Sequence, residues 1–137
     1  MRVLRMDAFE IRGRIGEGAH GVVFKAQHVE SGRVVAMKRV GIRRLDDGIP
    51  VALLREIQAL RHLDHESIVR LHDVFAHGTA IVLVLELMVT DLAQIMQQAT
   101  HSLPEDRVKC YMRMLLSGVA YCHAQSILVR PCSGGNT

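Results

Sequence analysis

The chain is poor in cysteine, and its cysteines follow no recognisable pattern. The three cysteines are Cys110, Cys122 and Cys132, an odd number with no C-x-x-C spacing and no preceding signal peptide. This usage predicts a reducing compartment and argues against a zinc site. Among the 8 histidines only His62 and His65 have a ligand-like spacing, and no cysteine or carboxylate pair follows at a matching distance. We therefore expect no bound metal ion.

Long apolar runs and blocks of like charge are also absent from the sequence. The longest apolar run, Ala80 to Leu85, ends at Glu86 and is far shorter than the ~20 residues that a membrane-spanning helix needs. With 17 basic and 14 acidic residues the formal charge is only +3, so neither nucleic acid nor a membrane is an expected partner. A content of 49% hydrophobic and 23% charged residues over 137 positions is ordinary for a soluble globular domain.

Several segments have the alternation or the β-branched content of strands. The predicted strands lie within residues 9–15, 21–29, 32–40, 67–75 and 80–88. The last of them is almost wholly apolar, and we therefore expect it in the interior of the sheet. The turn residues Glu30, Ser31 and Gly32 separate the second strand from the third, because glycine tolerates the positive φ that tight hairpins need.

A helix is predicted between the third and fourth strands. Pro50 suits its first turn, and Leu53, Ile57 and Leu60 recur at helical spacing. Glu56 lies on the same stripe. The first part of the chain, up to about residue 88, is therefore expected to form an α+β lobe.

Two further helices are predicted in the second part of the chain. Residues 90–99 predict a short helix that is capped by Thr90 or Asp91. Apolar residues between 108 and 122 recur at steps of four and three, and Ser102 with Glu105 has the pattern of a capping box, which predicts a helix over residues 102–124. The last ten residues, rich in Gly, Ser and Pro, predict a loose tail.

Three glycines, Gly16, Gly18 and Gly21, form a G-x-G-x-x-G motif. Dinucleotide-binding domains and protein kinases both use this motif. In the dinucleotide fold it opens a helix, and an acidic residue follows about 20 positions later. Here a strand follows Gly21, and the residue 20 positions after Gly16 is Ala36, so the context favours the kinase arrangement.

The order of the neighbouring motifs supports the same interpretation. After the glycines come a Val-Ala-Met-Lys segment that ends at Lys38 and a helix that carries Glu56. In this order the glycine amides lie over phosphates, Lys38 neutralises the α and β phosphates, and Glu56 holds Lys38 through an ion pair. Each feature has a structural alternative when it is taken alone: the glycines as hairpin residues, Lys38 as an exposed strand residue and Glu56 as a solvated helix residue. The three features together, in this order, favour the functional interpretation.

These motifs, together with the segments at 51–60 and 109–124, resemble the cyclin-dependent serine/threonine kinases over roughly residues 7–127. The resemblance implies an amino lobe of five antiparallel strands and one helix over residues 9–88. A partial carboxy lobe with two helices would follow over 89–127, with an extension at 1–8 and a divergent tail at 128–137. Residues 49–56 would correspond to the helix that faces a cyclin, with departures in its first half.

The resemblance also implies an ATP site. The residues expected around ATP are Ile15, Gly16, Gly18, Gly21, Val23, Ala36, Lys38, Leu85, Glu86, Met88 and Asp91. Leu85 would be the gatekeeper, Glu86 and Met88 would offer hinge backbone groups to the base, and Asp91 would reach the ribose. His65 would be a structural residue of the loop after the helix, which agrees with its rejection as a metal ligand.

The resemblance ends where the catalytic loop is expected. The family has His-Arg-Asp there, and the Asp accepts the proton of the substrate hydroxyl. This sequence has Val129, Arg130 and Pro131 instead, and a proline ring cannot accept that proton. Asn136 has the spacing of the magnesium-binding Asn, but Ser133 replaces the family's loop lysine, so we expect a coincidence. We expect a truncated or alternatively spliced form without magnesium ligands, which binds ATP weakly if at all and does not transfer phosphate.

Three functions remain open at this point. The chain is a kinase fragment with part of a nucleotide site, a binding module whose helix after Pro50 engages a cyclin or a chaperone, or an unstable product without a function of its own. The expected location is the cytoplasm and the nucleus, to which the resemblance adds the cilium.

Overall fold

The computed structural model describes residues 6–18, 21–42, 48–99 and 102–129. Five strands form one antiparallel sheet in the order β1-β2-β3-β5-β4. Their bounds are β1 (Phe9–Gly18), β2 (Gly21–His28), β3 (Val34–Gly41), β4 (Leu71–His77) and β5 (Ala80–Glu86). The predicted α+β class and the five-stranded antiparallel sheet are confirmed.

Helices follow in the expected places. A single 3-10 turn at Met6–Ala8 precedes β1, and the helices are α1 (Val51–His62), α2 (Leu92–Gln98) and α3 (Glu105–Ala124). In the described part of the chain, none of them is both long and apolar enough to span a bilayer.

The predicted capping box at the start of α3 is wrong. The helix begins at Glu105, its N-cap is Pro104, and no side chain caps it. The cause is local, because the proline ring disfavours helical backbone angles at the residue before it. Leu103 is therefore kept out of the helix, and Ser102 lies too far from the first turn to cap it.

For α2 the structure selects one of the two predicted caps, since the Asp91 carboxylate accepts a hydrogen bond from the Gln94 N–H at 2.8 Å.

The two faces of the sheet build two apolar clusters, because successive side chains on a strand point to opposite faces. One cluster contains the buried residues Phe9, Ala26, Val35, Met37, Val82 and Val84. The other joins the sheet to α1 and contains Leu53, Ile57, Ile81 and Leu83. β5 contributes to both clusters and is buried from Ala80 to Val84, as expected for the interior strand.

Helix α3 is attached to the sheet lobe through the loop between α1 and β4. His65 in this loop accepts a hydrogen bond at Nδ1 from the Ser67 N–H (3.0 Å), and its Nε2 lies 3.2 Å from Ser117 Oγ on α3. Its ring packs against Tyr121 with centroids 5.0 Å apart. Gly118 lets the helix approach the loop, because an added Cβ would lie 3.2 Å from the Ser67 carbonyl oxygen.

The rest of α3 presents a mostly exposed apolar surface. Val108, Met112, Met114, Leu115 and Leu116 are all more than two fifths exposed, whereas Gly118 and Cys122 are buried. The stripe predicted by the spacing thus exists, but only the part near the α1–β4 loop is covered.

Candidate nucleotide site

The α1-facing side of the sheet carries the predicted lysine. Lys38 on β3 is paired with Val23 on β2 and with Leu83 on β5, and cross-strand partners in an antiparallel sheet share a face. Ala36, two residues earlier on β3, lies on the same face and is buried. Strand register therefore brings Val23, Ala36 and Lys38, three of the residues expected around ATP, onto one face of the sheet.

Lys38 reaches the helix that covers this face. Its Nζ lies 2.9 Å from Glu56 Oε1 on α1. Leu53 and Ile57 of α1 are buried against the sheet, so Glu56 between them is turned towards β3. The Lys38 side chain is 20% exposed and that of Glu56 is 43% exposed. Solvent screening therefore limits the pair to about 1 kcal/mol or less, and it positions Lys38 more than it stabilises the fold.

The three glycines of the motif differ in whether a side chain would fit at their positions. Gly21 has φ +119°, and an added Cβ would overlap the Arg39 carbonyl oxygen of β3 and lie 3.0 Å from its carbonyl carbon. Gly16 would place a Cβ in ordinary contact with Val23, and at Gly18 no atom of the described residues, apart from its chain neighbours, lies within 4 Å of that position. Gly21 thus has a second reason to be glycine, the close packing of β2 on β3, which the motif did not predict.

A cavity of about 620 Å³ opens between β1, β2 and the segment that follows β5. Ile15, Met88 and Asp91, three of the residues expected around ATP, line it. Lys25 lines it as well, and this residue was not predicted. The alternation of β2 contained the signal, because Lys25 follows Val23 by two residues and is paired with Ala36. We call this cavity the mouth cavity.

Two of the predicted contact residues are already engaged in bonds within the chain. The Glu86 N–H donates to the Arg70 carbonyl at 2.9 Å, so this N–H is not available to a ligand. Asp91 uses one carboxylate oxygen to cap α2, which leaves the other for a ribose hydroxyl. Leu85 is partly buried and packs on the cluster beneath α1.

The structure does not unite all the predicted residues in one cavity. Lys38 and Glu56 lie outside the lining of the mouth cavity, and Glu56 instead lines an open cavity of about 980 Å³ between α1 and residues 125–128. Pro131 and Asn136 lie outside the described residues. Within the described ranges, no group of three or more His, Cys, Asp or Glu side chains has a metal-binding arrangement.

Comparison with known proteins identifies the family to which these motifs point. The protein kinase domain family matches residues 9–131. Cyclin-dependent kinase 20 of Danio rerio is 52% identical over 132 residues, which cover 96% of this chain and 38% of that protein. The Homo sapiens protein of the same name is 51% identical with the same coverage. Cell division control protein 2 homolog 1 of Trypanosoma brucei brucei is 41% identical over 122 residues, which cover 89% of this chain and 40% of that protein.

The chain thus spans about two fifths of the length of these relatives. The predicted resemblance to cyclin-dependent kinases is confirmed by the matches. Within that family, residues 14–32, 51–60 and 109–124 resemble the cell cycle-related kinase, and the matches to cyclin-dependent kinase 20 confirm this resemblance.

Proposed function

The chain belongs to the protein kinase family, and from that premise we propose that these 137 residues bind an adenine nucleotide weakly and do not transfer its phosphate. The observation that carries the proposal is the ion pair between Lys38 and Glu56, 2.9 Å apart on the sheet face that also carries Ala36. Kinases use ATP and magnesium, and in them this pair positions the lysine for the α and β phosphates.

Several residues of the chain fit an adenine nucleotide. Ile15 and Met88 supply apolar contact to the base in the mouth cavity, and the free oxygen of Asp91 is an acceptor for a ribose hydroxyl. Lys38 is a cation already held in place, so that little side-chain entropy is lost when it meets a phosphate. The nucleotide would contribute its base, ribose and phosphates, and the chain would contribute the groups that bind them.

Phosphate transfer requires groups that these residues do not supply. The position of the catalytic Asp is occupied by Pro131, and no Asp-Phe-Gly tripeptide occurs in the 137 residues. A general base contributes typically 10²–10⁴ in rate, and the magnesium ligands contribute charge stabilisation on top of that. Loss of these charge-assisted contacts also weakens nucleotide binding, by roughly 1.5–3 kcal/mol for each contact.

Calorimetric titration of ATP tests the binding part of the proposal. We expect a dissociation constant weaker than about 1 μM and a further loss of affinity in Lys38→Ala. Lys109→Ala is the matched control, because Lys109 is also a lysine paired with a glutamate, at 2.6 Å from Glu105 on the exposed side of α3. Submicromolar binding, or equal affinity in Lys38→Ala and Lys109→Ala, would contradict the proposal.

An assay with labelled ATP tests the second part. The purified chain should incorporate no more phosphate into a generic protein substrate than Lys38→Ala does. Incorporation above that variant, in material free of other kinases, would show that the segment is an active enzyme. Pro131→Asp should not restore transfer, since the magnesium ligands would still be missing.

A binding module is a second candidate function, and a feature of α1 favours it. Ile49, Val51 and Leu54 at the start of α1 are exposed at 37%, 61% and 39%, although all three are apolar. The relatives are named as cyclin-dependent kinases, so a cyclin is the expected partner of this surface. Binding of a purified cyclin that is lost in Val51→Glu but kept in Val129→Glu, an exposed apolar site outside α1, would support this function.

The exposed apolar surface of α3 favours the two remaining alternatives, a module that binds a chaperone and an unstable product. A surface of this kind recruits a chaperone or leads to aggregation. A thermal melt separates these from the main proposal, because a chain without a cooperative transition would be an unstable product. Co-purification with a chaperone that is released by ATP would favour the chaperone partner.

A further inference from the structure

Helix α3 carries an apolar stripe that the rest of the described chain leaves mostly uncovered. We call it the α3 stripe, and its members are Val108, Met112, Leu115, Leu116 and Val119. The first four are exposed at 43%, 48%, 59% and 60%, and Val119 is partly buried. In an α-helix with 3.6 residues per turn, the five side chains lie within about 100° of the helix surface. A stripe of this width normally faces another element.

The α3 stripe is not the side of the helix that packs on the sheet lobe. That side contains Gly118 and Cys122, which are buried, and Ser117 and Tyr121, which contact His65 of the α1–β4 loop. The centres of the two sides lie about 130° apart around the helix axis. A partner can therefore cover the α3 stripe while α3 stays attached to the lobe.

The spacing of the α3 stripe makes it complementary to itself. Val108, Met112, Leu115 and Val119 follow one another at steps of four, three and four residues, which is the spacing at which two helices pack along one seam. When two copies of α3 lie antiparallel about a two-fold axis between residues 113 and 114, Met112 of one copy meets Leu115 of the other. Val108 then meets Val119. A two-fold interface between identical chains requires this kind of self-complementarity.

The charges of α3 favour the antiparallel over the parallel arrangement. All Asp, Glu, Lys and Arg residues of the helix lie between Glu105 and Arg113, and residues 115–124 contain none. A parallel pair would set each charge alongside its own kind, which is unfavourable. The antiparallel pair sets the charged half of one helix against the uncharged half of the other.

The area of the α3 stripe is sufficient for a small dimer. Its four most exposed residues together expose roughly 400 Å², the size of surface patches that mark interaction sites. A specific interface buries about 800 Å² per partner, of which a little more than half is apolar. The stripe thus supplies most of the apolar area that such an interface needs, with no surplus, so the dimer should be reversible.

We propose that the α3 stripe binds the α3 stripe of a second copy of the chain, antiparallel about the two-fold axis described above. Each stripe is used up by its equivalent in the other copy, so assembly stops at two chains. This distinguishes the dimer from open-ended aggregation through the same surface. No nucleotide takes part in the contact, and the inference is independent of the proposed nucleotide binding.

Sedimentation equilibrium of the full 137-residue chain tests the proposal. We expect a monomer–dimer equilibrium with a dissociation constant of about 10–100 μM. Leu115→Glu should weaken it at least tenfold, because the dimer would bury a carboxylate without a partner. Met114→Glu is the matched control, since Met114 is 48% exposed on the same helix but outside the stripe; it should change the constant by less than about twofold.

A pair of complementary variants tests the antiparallel register. Met112→Lys alone should also weaken the dimer at least tenfold. An equal mixture of Leu115→Glu and Met112→Lys should form a mixed dimer at least tenfold more tightly than either variant pairs with itself, because position 115 of one chain meets position 112 of the other. Native mass spectrometry of chains with different isotope labels identifies the mixed dimer.

Several outcomes would overturn the proposal. These are a chain that stays monomeric up to about 500 μM, equal losses in Leu115→Glu and Met114→Glu, and a mixture of the complementary variants that pairs no better than its components. Growth beyond two chains would show aggregation without a defined interface, and a chaperone that co-purifies on the stripe would show a different occupant. ATP affinity should be the same in Leu115→Glu as in the parent, so failure of the nucleotide proposal would leave this test intact.

Discussion

Replacement of Gly21 by alanine should destabilise the amino-terminal sheet by several kcal/mol. The residue has φ +119°, and an L-residue in such a region costs of order 1–3 kcal/mol. The added Cβ would also overlap the Arg39 carbonyl of β3, and this atom belongs to a paired backbone that cannot move without loss of ladder hydrogen bonds. Overpacking of this kind adds about 1–3 kcal/mol, so we expect about 2–6 kcal/mol in total.

Gly18→Ala is the matched control within the same motif. Among the described residues, no atom apart from the chain neighbours lies within 4 Å of a Cβ at Gly18. The substitution should therefore change stability by less than about 1 kcal/mol in either direction. For a chain of 137 residues, 1 kcal/mol corresponds to a shift in Tm of about 3–5 °C. Gly21→Ala should therefore lower Tm by about 6 °C or more, as measured by circular dichroism.

Two results would contradict the expected difference between Gly21→Ala and Gly18→Ala. Gly21→Ala could melt within a few degrees of the parent, which would mean that β2 and β3 separate without cost. Gly18→Ala could lose as much stability as Gly21→Ala, which would mean that the motif requires glycine for a reason other than the contact with Arg39. Urea titration of both variants checks that the m-value, and therefore the surface exposed on unfolding, is unchanged.

Three further substitutions have defined outcomes. Asp91→Ala removes the cap of α2 and should cost about 1 kcal/mol of local stability in hydrogen exchange, whereas Asp106→Ala on α3 should leave α2 unchanged. Gly118→Val should lower Tm by an amount that corresponds to about 1–3 kcal/mol, because its Cβ meets a backbone carbonyl of the α1–β4 loop; Ala120→Val, at an exposed position, should not. In the folded state, burial and then the charge of Arg33 lower the pKa of His72 below its usual 6.5. The stability that depends on the neutral imidazole is therefore present above pH 6.5 and is lost as the pH falls below that value. His72→Gln should therefore flatten the decrease in stability on acidification, which denaturant titrations across this pH range would detect.

The sequence predicted the residues whose positions follow from periodicity. Lys38 and Glu56 meet because β3 alternates with period two and α1 repeats with period 3.6, so each side chain has one available face. The same alternation places Ala36 on the face of Lys38, and on β2 it places Lys25 on the face of Val23. Order and spacing were sufficient to predict the pair of Lys38 and Glu56 because the strand and the helix that carry it are regular.

Features that depend on local irregularity could not be predicted in this way. The start of α3 was misplaced because the capping pattern of Ser102 and Glu105 was given more weight than the effect of Pro104 on the residue before it. The contact that requires glycine at Gly21 depends on how β2 crosses Arg39, which is a tertiary distance and has no sequence signature. β4 also contains a bulge at His72, which has no partner on β5, and this irregularity depends on how the two strands pair and not on the residue types.

The segment that follows β5 borders the mouth cavity on one side and a cavity of about 650 Å³ beside the α1–β4 loop on the other. Leu87 lines both cavities, and the preceding residue, Glu86, donates its N–H to the carbonyl of Arg70, which lines the second cavity. A ligand that displaces this backbone in the mouth cavity therefore also moves residues that line the second cavity. Titration with ATP should accordingly shift the amide resonances of Glu86 and Arg70 together with that of Met88. A shift of Met88 without any shift of Glu86 and Arg70 would show that the two cavities respond independently.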